Sequence, residues 1–205
     1  MKNTQLLILN TALKLFNDFG LSKVTLRTVA KEMGISQGNL NYHFKKRQDI
    51  IEVLYFQLVE MMDAEMKNMV NSQSVLQMIF ESSKISMNCL YEYRFFMRDL
   101  YLVMKENDRI NSHYTDLQKM RSIQFSQIFD NLIHQNTLRK EEFENEYLRL
   151  YERMNILGDN WINTQELLQK DLDNPVEHYQ SLLFETIYPY LTETGKIEFH
   201  KVTNG

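Results

Sequence analysis

The chain has 205 residues, is 43% apolar and carries a formal charge of −4. Such a chain is too apolar to be disordered and long enough for one large domain or one small plus one medium domain. Two prolines and six glycines argue against a turn-rich β architecture and favour long helices. A single cysteine, Cys89, excludes an intramolecular disulfide framework and fits a reducing cytoplasm, and no apolar run is long enough to span a bilayer. The expectation is a cytoplasmic protein with no membrane partner.

Taken in chain order, the apolar spacing predicts a first helix over 4–19, with Leu6, Leu9, Leu13, Leu15 and Phe16 on its face and Gly20 as a left-handed stop. Thr25 reads as an N-cap for a second helix bearing Leu26, Val29, Ala30 and Met33, closed at Gly34. Ser36 caps a short third helix through Leu40 to Phe44. A long helix over 49–70 follows, through Ile50, Val53, Leu54, Leu58, Met61 and Met62. Five more helices are expected over 74–89, 91–105, 107–135, 141–169 and 175–191. Pro175 would occupy the first turn of the last one, and Pro189 its final turn. The acidic run Glu141, Glu142, Glu144 and Glu146 reads as a helical first turn, where negative charge is favourable. The tail beyond Thr192 is polar and expected to fray. The prediction is an all-α protein of about nine helices, with a three-helix N-terminal domain over 1–46 and a helical domain over 47–205.

Charge divides along the chain. Through residue 50 eight Lys and Arg stand against three Asp and Glu, a local excess of five positive charges, whereas the remainder holds fifteen against twenty-four. A basic head on an acidic body is the footprint of a polyanion-binding module joined to something else.

That head contains two short helices joined by a tight turn. Gly34 supplies the turn's backbone angle, small Ala30 permits close approach, and Val29, Ile35, Leu40 and Phe44 would lock the pair to the first helix. The second short helix is then left proud of the surface, as a helix that enters the DNA major groove must be.

Over residues 3–60 the chain resembles the TetR family. The resemblance rests on Phe16-Asn17-Asp18-Phe19-Gly20, Thr25, Ala30, Gly34, Ser36, Leu40, the block Tyr42-His43-Phe44, and the cluster Lys45-Lys46-Arg47. More weakly, Tyr93-Arg94-Phe95-Phe96-Met97-Arg98-Asp99-Leu100, Trp161 and Tyr188-Pro189-Tyr190-Leu191 resemble one subset of its C-terminal domains. The resemblance implies a helix-turn-helix whose exposed positions Gln37, Gly38, Asn39, Asn41, Tyr42 and His43 face double-stranded DNA. Gln37 and Asn39 suit adenine edges, whereas Thr28, Tyr42, His43, Lys45 and Arg47 suit phosphate oxygens. Arg27 fits either role, Lys46 belongs to the same basic cluster, and Ser36 is a cap that can also touch a phosphate. Where the family often has an aromatic residue this chain has Asn41, so no target sequence transfers.

The resemblance further implies a homodimer and an effector-binding body. Met66, Phe80, Tyr91, Phe95, Phe96, Met104, Tyr114, Phe125, Phe129, Met154 and Trp161 are candidates to line a pocket for a small apolar or aromatic effector, methionine being adaptable and polarisable. For any one of them, a place in an ordinary well-packed helical core is the first reading. Tyr147, Tyr151, Gly158, Tyr179, Leu183 and Ile187 are candidates for the dimer interface, with Gly158 allowing a close helix crossing; the same stripes could face the subunit's own core. No cofactor is implied. No Gly-rich phosphate loop, metal-ligand cluster or nucleophile–base pair suggests an enzyme. The expected function is a transcriptional regulator, a repressor released from a palindromic operator by its effector. The alternative is a helical adaptor with vestigial DNA binding.

Overall fold

The computed structural model describes residues 2–68, 74–168 and 171–204. It is all-α, with eleven α-helices among the described residues rather than about nine. They are α1 (Lys2–Phe19), α2 (Leu26–Glu32), α3 (Gln37–His43), α4 (Arg47–Asn68), α5 (Val75–Glu92), α6 (Arg94–Arg98), α7 (Leu100–Glu106), α8 (Asp108–His134), α9 (Glu146–Leu167), α10 (Pro175–Glu185) and α11 (Glu193–Thr203). The predicted ends of two helices, at residues 70 and 169, lie outside the described residues. No described helix is long and apolar enough to cross a membrane.

Two differences account for the helix count. The stretch expected as one helix over 91–105 is broken at Tyr93 and again at Asp99, whose backbone leaves the helical region, which gives α6 and α7. The tail expected to fray is instead α11. Thr192 caps it by accepting a hydrogen bond from the Gly195 N–H, and Phe199 stacks on Phe184 at 4.8 Å. That one buried ring anchors an otherwise polar segment, so the polarity of the tail was a poor guide.

Contacts divide the chain into two compact units, residues 1–62 with 89–114, and residues 63–88 with 115–205. The first unit is centred on Ile8, Ala12, Phe16, Leu40, Ile50, Leu54 and Phe95, all nearly free of solvent contact. The buried face of α1 is Ile8, Leu9, Ala12, Leu15 and Phe16; the expected Leu6 points outward. Position 8 rather than 6 completes the i, i+4, i+8 row with Ala12 and Phe16.

The second unit packs α5, α8, α9, α10 and α11 around Leu76, Phe129, Leu132, Leu150, Phe184 and Ile187. Its α8–α9 connection is held to the α10–α11 connection by a single antiparallel bridge, Leu138 to Leu191. The Arg139 N–H donates to the Tyr190 carbonyl, and the Thr192 N–H to that of Thr137, each at 3.0 Å. α10 starts as expected, with Asn174 as cap and Pro175 in the first turn. It ends at Glu185, however, and Pro189 sits in a separate 3-10 turn, Tyr188–Tyr190. The acidic run is not a first helical turn either: α9 begins only at Glu146, after Asn145 in the left-handed region. Glu141 and Glu146 accept backbone N–H groups of Tyr147 and Glu142, so the run caps the helix from outside.

Candidate nucleic-acid interface

Local chemistry fixes the geometry of α2 and α3. The Thr25 hydroxyl accepts from the Thr28 N–H at 3.2 Å, and the Thr28 hydroxyl accepts from the Thr25 N–H at 2.8 Å, a reciprocal cap that starts α2. Gly20 and Gly34 adopt φ of 77° and 66°, the left-handed region in which a side chain is strained. Ser36 starts α3 by accepting from the Asn39 N–H at 3.1 Å. Val29, Ala30, Leu40 and Phe44 are buried and Ile35 half-buried, so α2 and α3 are fixed against each other from beneath.

The resulting surface presents most of the expected contact residues. Arg27, Thr28, Ser36, Gln37, Gly38, Asn39, Tyr42, Lys45 and Lys46 are exposed, Tyr42 at 69%. Tyr42 and His43 meet edge to face at 5.4 Å. His43, Asn41 and Arg47 are half-buried, and the Asn41 Oδ1 is enclosed without a hydrogen-bond partner. The Thr28 hydroxyl also donates to the Thr25 carbonyl at 2.8 Å, so it serves the cap. Arg47 is bonded inside its unit, donating to the Leu21 carbonyl at 2.6 Å and to Glu106 at 3.3 Å. The sequence carried no signal for these bonds, because their partners lie 26 and 59 positions away. Nearby, an open groove of about 410 Å³ is lined by Leu15, Phe19, Lys23, Val24, Thr28, Lys31 and Glu32. None of the eleven candidate pocket residues lines it.

Those eleven divide between the two units. Tyr91, Phe95, Phe96, Met104 and Tyr114 belong to the first; Met66, Phe80, Phe125, Phe129, Met154 and Trp161 to the second. Phe95 lies 5.2 Å from Phe16, and Phe96 lies 5.2 Å from Tyr55 and 6.4 Å from Tyr114. Tyr91 and Met104 are half-buried, and the Arg94 guanidinium stands over the Tyr91 ring. In the second unit Phe125 and Phe129 pack together and against Tyr151 and Tyr147, Phe80 against Phe184, and Trp161 against Tyr179. Met154 is buried and Met66 half-buried.

Of the candidate interface residues, Tyr147, Tyr151, Tyr179 and Ile187 are buried within their own subunit, while Leu183 and Gly158 are half-buried. A Cβ on Gly158 would meet nothing within 4 Å. The large apolar side chains that α9 and α10 do expose are Leu148, Ile156, Leu167 and Leu182. Among the described residues no group of acidic, His or Cys side chains could hold a metal ion.

Comparison with known proteins places this arrangement. The family described as "Bacterial regulatory proteins, tetR family" matches residues 8–54, and "Bacterial transcriptional repressor" matches residues 57–199. A class C tetracycline repressor protein of Escherichia coli is 36% identical over 47 residues, 23% of this chain and 22% of that repressor. That match therefore spans about a fifth of the relative's length. A TetR-family regulator from Marinobacter aquaeolei VT8 superimposes with a TM-score of 0.76 at 22% identity, over 98% of both chains. A ketosteroid transcriptional regulator of Mycobacterium tuberculosis gives 0.74 at 16% identity, over 93% of this chain and 96% of that one. A transcriptional regulator from Saccharomonospora viridis in complex with choline gives 0.69 at 19% identity, over 94% and 100%. At these identities the structural likeness establishes the fold, and the two family matches establish more: this chain belongs to the TetR family of bacterial transcriptional regulators.

Proposed function

We propose that two copies of this chain bind a near-palindromic duplex operator and repress transcription until a small apolar or aromatic effector releases them. The observation that carries the reading is the exposed row on α3 and the turn after it. Gln37 and Asn39 there have the donor–acceptor pairs needed for base edges, flanked by Arg27, Lys45 and Lys46 for phosphates. On this reading residues 1–46 contact DNA and residues 47–205 bind the effector and dimerise. The two α3 helices would sit about one DNA turn apart, roughly 34–36 Å.

Dimerisation through α9 and α10 is supported by their exposed Leu148, Ile156, Leu167 and Leu182, an apolar set that a second copy would remove from water. Tyr147, Tyr151, Tyr179, Leu183 and Ile187 then back this surface from within the subunit, and Gly158 leaves room for close approach. The reading of an apolar or aromatic effector is supported by the aromatic and methionine side chains of the body, and the structural neighbours include a choline complex and a ketosteroid regulator. An effector that favours a state with different α3 separation lowers operator affinity, and the operator lowers effector affinity by the same factor.

The test is an anisotropy titration of the full chain against duplex DNA from upstream of its gene, at several salt concentrations. Sequence-selective binding that weakens steeply with salt is expected; binding indifferent to both sequence and salt would refute the reading.

A further inference from the structure

Leu21 is held at both its backbone N–H and its backbone carbonyl. It opens the 3-10 turn Leu21–Lys23 that joins α1 to α2, and its side chain is 1% exposed. Its N–H donates to the Asp99 carboxylate at 3.2 Å. Its carbonyl accepts from the Arg47 guanidinium at 2.6 Å. Arg47 is in turn held by Glu106 at the end of α7, which also accepts from Gln48 at 3.2 Å. Beside this grip, the buried Asn17 side chain donates to the Glu92 carbonyl at 2.7 Å and accepts from the Phe95 N–H at 3.0 Å. The Asn17 carbonyl accepts from Arg98. All these groups lie in the first compact unit. The α6–α7 segment is thus fastened to the α1–α2 joint by charge-assisted hydrogen bonds, the kind that fixes direction as well as distance.

We propose that Arg47, Asp99 and Glu106 are positioning residues for DNA reading, acting through Leu21 to set the angle at which α2 and α3 leave α1, and that Arg47 is not a phosphate ligand. The inference rests on the DNA-binding reading above. Arg47 directly follows the exposed Lys45 and Lys46 and has the right charge for a phosphate, yet its side chain is only 22% exposed and its donors are already turned inward. Releasing it toward DNA would take from the Leu21 carbonyl its guanidinium donor and leave Glu106 with Gln48 in place of an ion pair. Lys45 and Lys46 make no such bonds through their side chains and remain available to the backbone of a duplex.

The two roles predict opposite signs. Asp99 and Glu106 are negative charges in a unit that approaches a polyanion, so on electrostatics alone their removal strengthens DNA binding. If they position the reading helix, their removal weakens it.

The experiment selects a duplex from a random-sequence pool with the wild-type chain. It then measures affinity for that duplex and for a scrambled one across a salt series. Asp99→Ala, which loses one charge-assisted hydrogen bond, and Glu106→Ala, which loses two, should each weaken binding to the selected duplex by about tenfold or more and leave the scrambled duplex unaffected. Asp99→Asn, which keeps an acceptor for the Leu21 N–H, should restore most of the loss. Arg47→Ala should lower selectivity without changing the slope of log affinity against log salt. Circular dichroism melts identify any variant that is simply unfolded, and the milder Asp99→Asn and Glu106→Gln then carry the comparison. Tighter binding of both duplexes by the acid variants, or a slope reduced by about one in Arg47→Ala, would overturn the proposal. A wild-type chain that enriches no duplex would instead sink the DNA-binding reading, and this inference with it.

Discussion

Arg139 and Glu146 form a two-pronged ion pair, with the guanidinium donating to the two carboxylate oxygens at 2.8 and 2.7 Å. Glu146 is among the few buried polar residues of the second unit, its side chain 3% exposed, and it also accepts the Glu142 N–H at 2.8 Å. Arg139 stands over the Tyr190 ring and takes the Tyr147 hydroxyl on its carbonyl at 2.7 Å. The pair thus ties the start of α9 to the connection before it and to the turn before α11. Hydrogen bonding from Arg139 outweighs the opposing effect of burial and holds the Glu146 carboxyl down at about 2, against an ordinary 4.5.

That depressed value sets a pH dependence. An acid whose folded-state pKa lies below its unfolded one stabilises the fold fully above the unfolded value, here about 4.5. The contribution fades as pH falls from there through about 2. Glu146→Gln should therefore be less stable than wild type at pH 7, with the two melting temperatures converging as pH drops through this window. Parallel curves from pH 7 to pH 2 would show that the pair contributes nothing.

Ser36→Ala removes the side-chain acceptor for the Asn39 N–H at the start of α3. Loss of an N-cap costs about 1 kcal/mol, within a range of roughly 0.5–2. Urea unfolding should show a shifted midpoint at an unchanged slope, since the surface exposed on unfolding stays the same.

Base reading and phosphate contact separate in DNA titrations. Gln37→Ala or Asn39→Ala should narrow the gap between selected and scrambled duplex by about 1–3 kcal/mol. Lys45→Ala should weaken both duplexes equally and reduce the salt slope by about one. A Lys45→Ala variant with wild-type affinity at all salt concentrations would remove it from the interface.

Gly195 has no room for a side chain. A Cβ there would sit 2.1 Å from the Thr137 carbonyl oxygen, which is backbone and has no rotamer to yield. Gly195→Ala should cost about 1–3 kcal/mol and release α11. Loss of amide-exchange protection confined to 193–203 and the 137–139 segment is the expected signature. Unchanged protection would mean that the connection accommodates the methyl group.

Gly158 is the opposite case. Its Cβ position is open within the subunit, and glycine inside a helix costs about 1 kcal/mol relative to alanine. Gly158→Ala should raise stability by up to about that amount at concentrations where the chain is monomeric. Analytical ultracentrifugation then reports on the proposed interface: a weakened dimer places a partner helix against Gly158, and an unchanged dimer puts the contact on Ile156 and its neighbours instead.

The helix-turn-helix head was legible because its determinants are local. Thr25, Gly34, Ser36 and Gly20 act within three or four positions of themselves, through caps and left-handed turns that a particular residue type requires. The body was legible as helices but not in their roles. Apolar period marks a buried face without telling core from pocket or interface, so Phe95 and Phe129 look alike in sequence yet belong to different units. α11 was missed because one buried ring, Phe199, outweighed the polarity around it.

By itself, then, the sequence determined an all-α chain with a basic helix-turn-helix, its start and stop positions, and the exposed polar row on α3. All of these depend on spacings of a few residues, where backbone sterics and capping decide. Tertiary structure alone decided that Arg47 turns inward to Leu21 and Glu106, that Glu146 is buried against Arg139, and that Gly195 closes on Thr137. Most of these partners lie tens of positions apart, and even Arg139 and Glu146 meet only across an irregular turn. A charged side chain at such a position finds its partner only once the chain has packed.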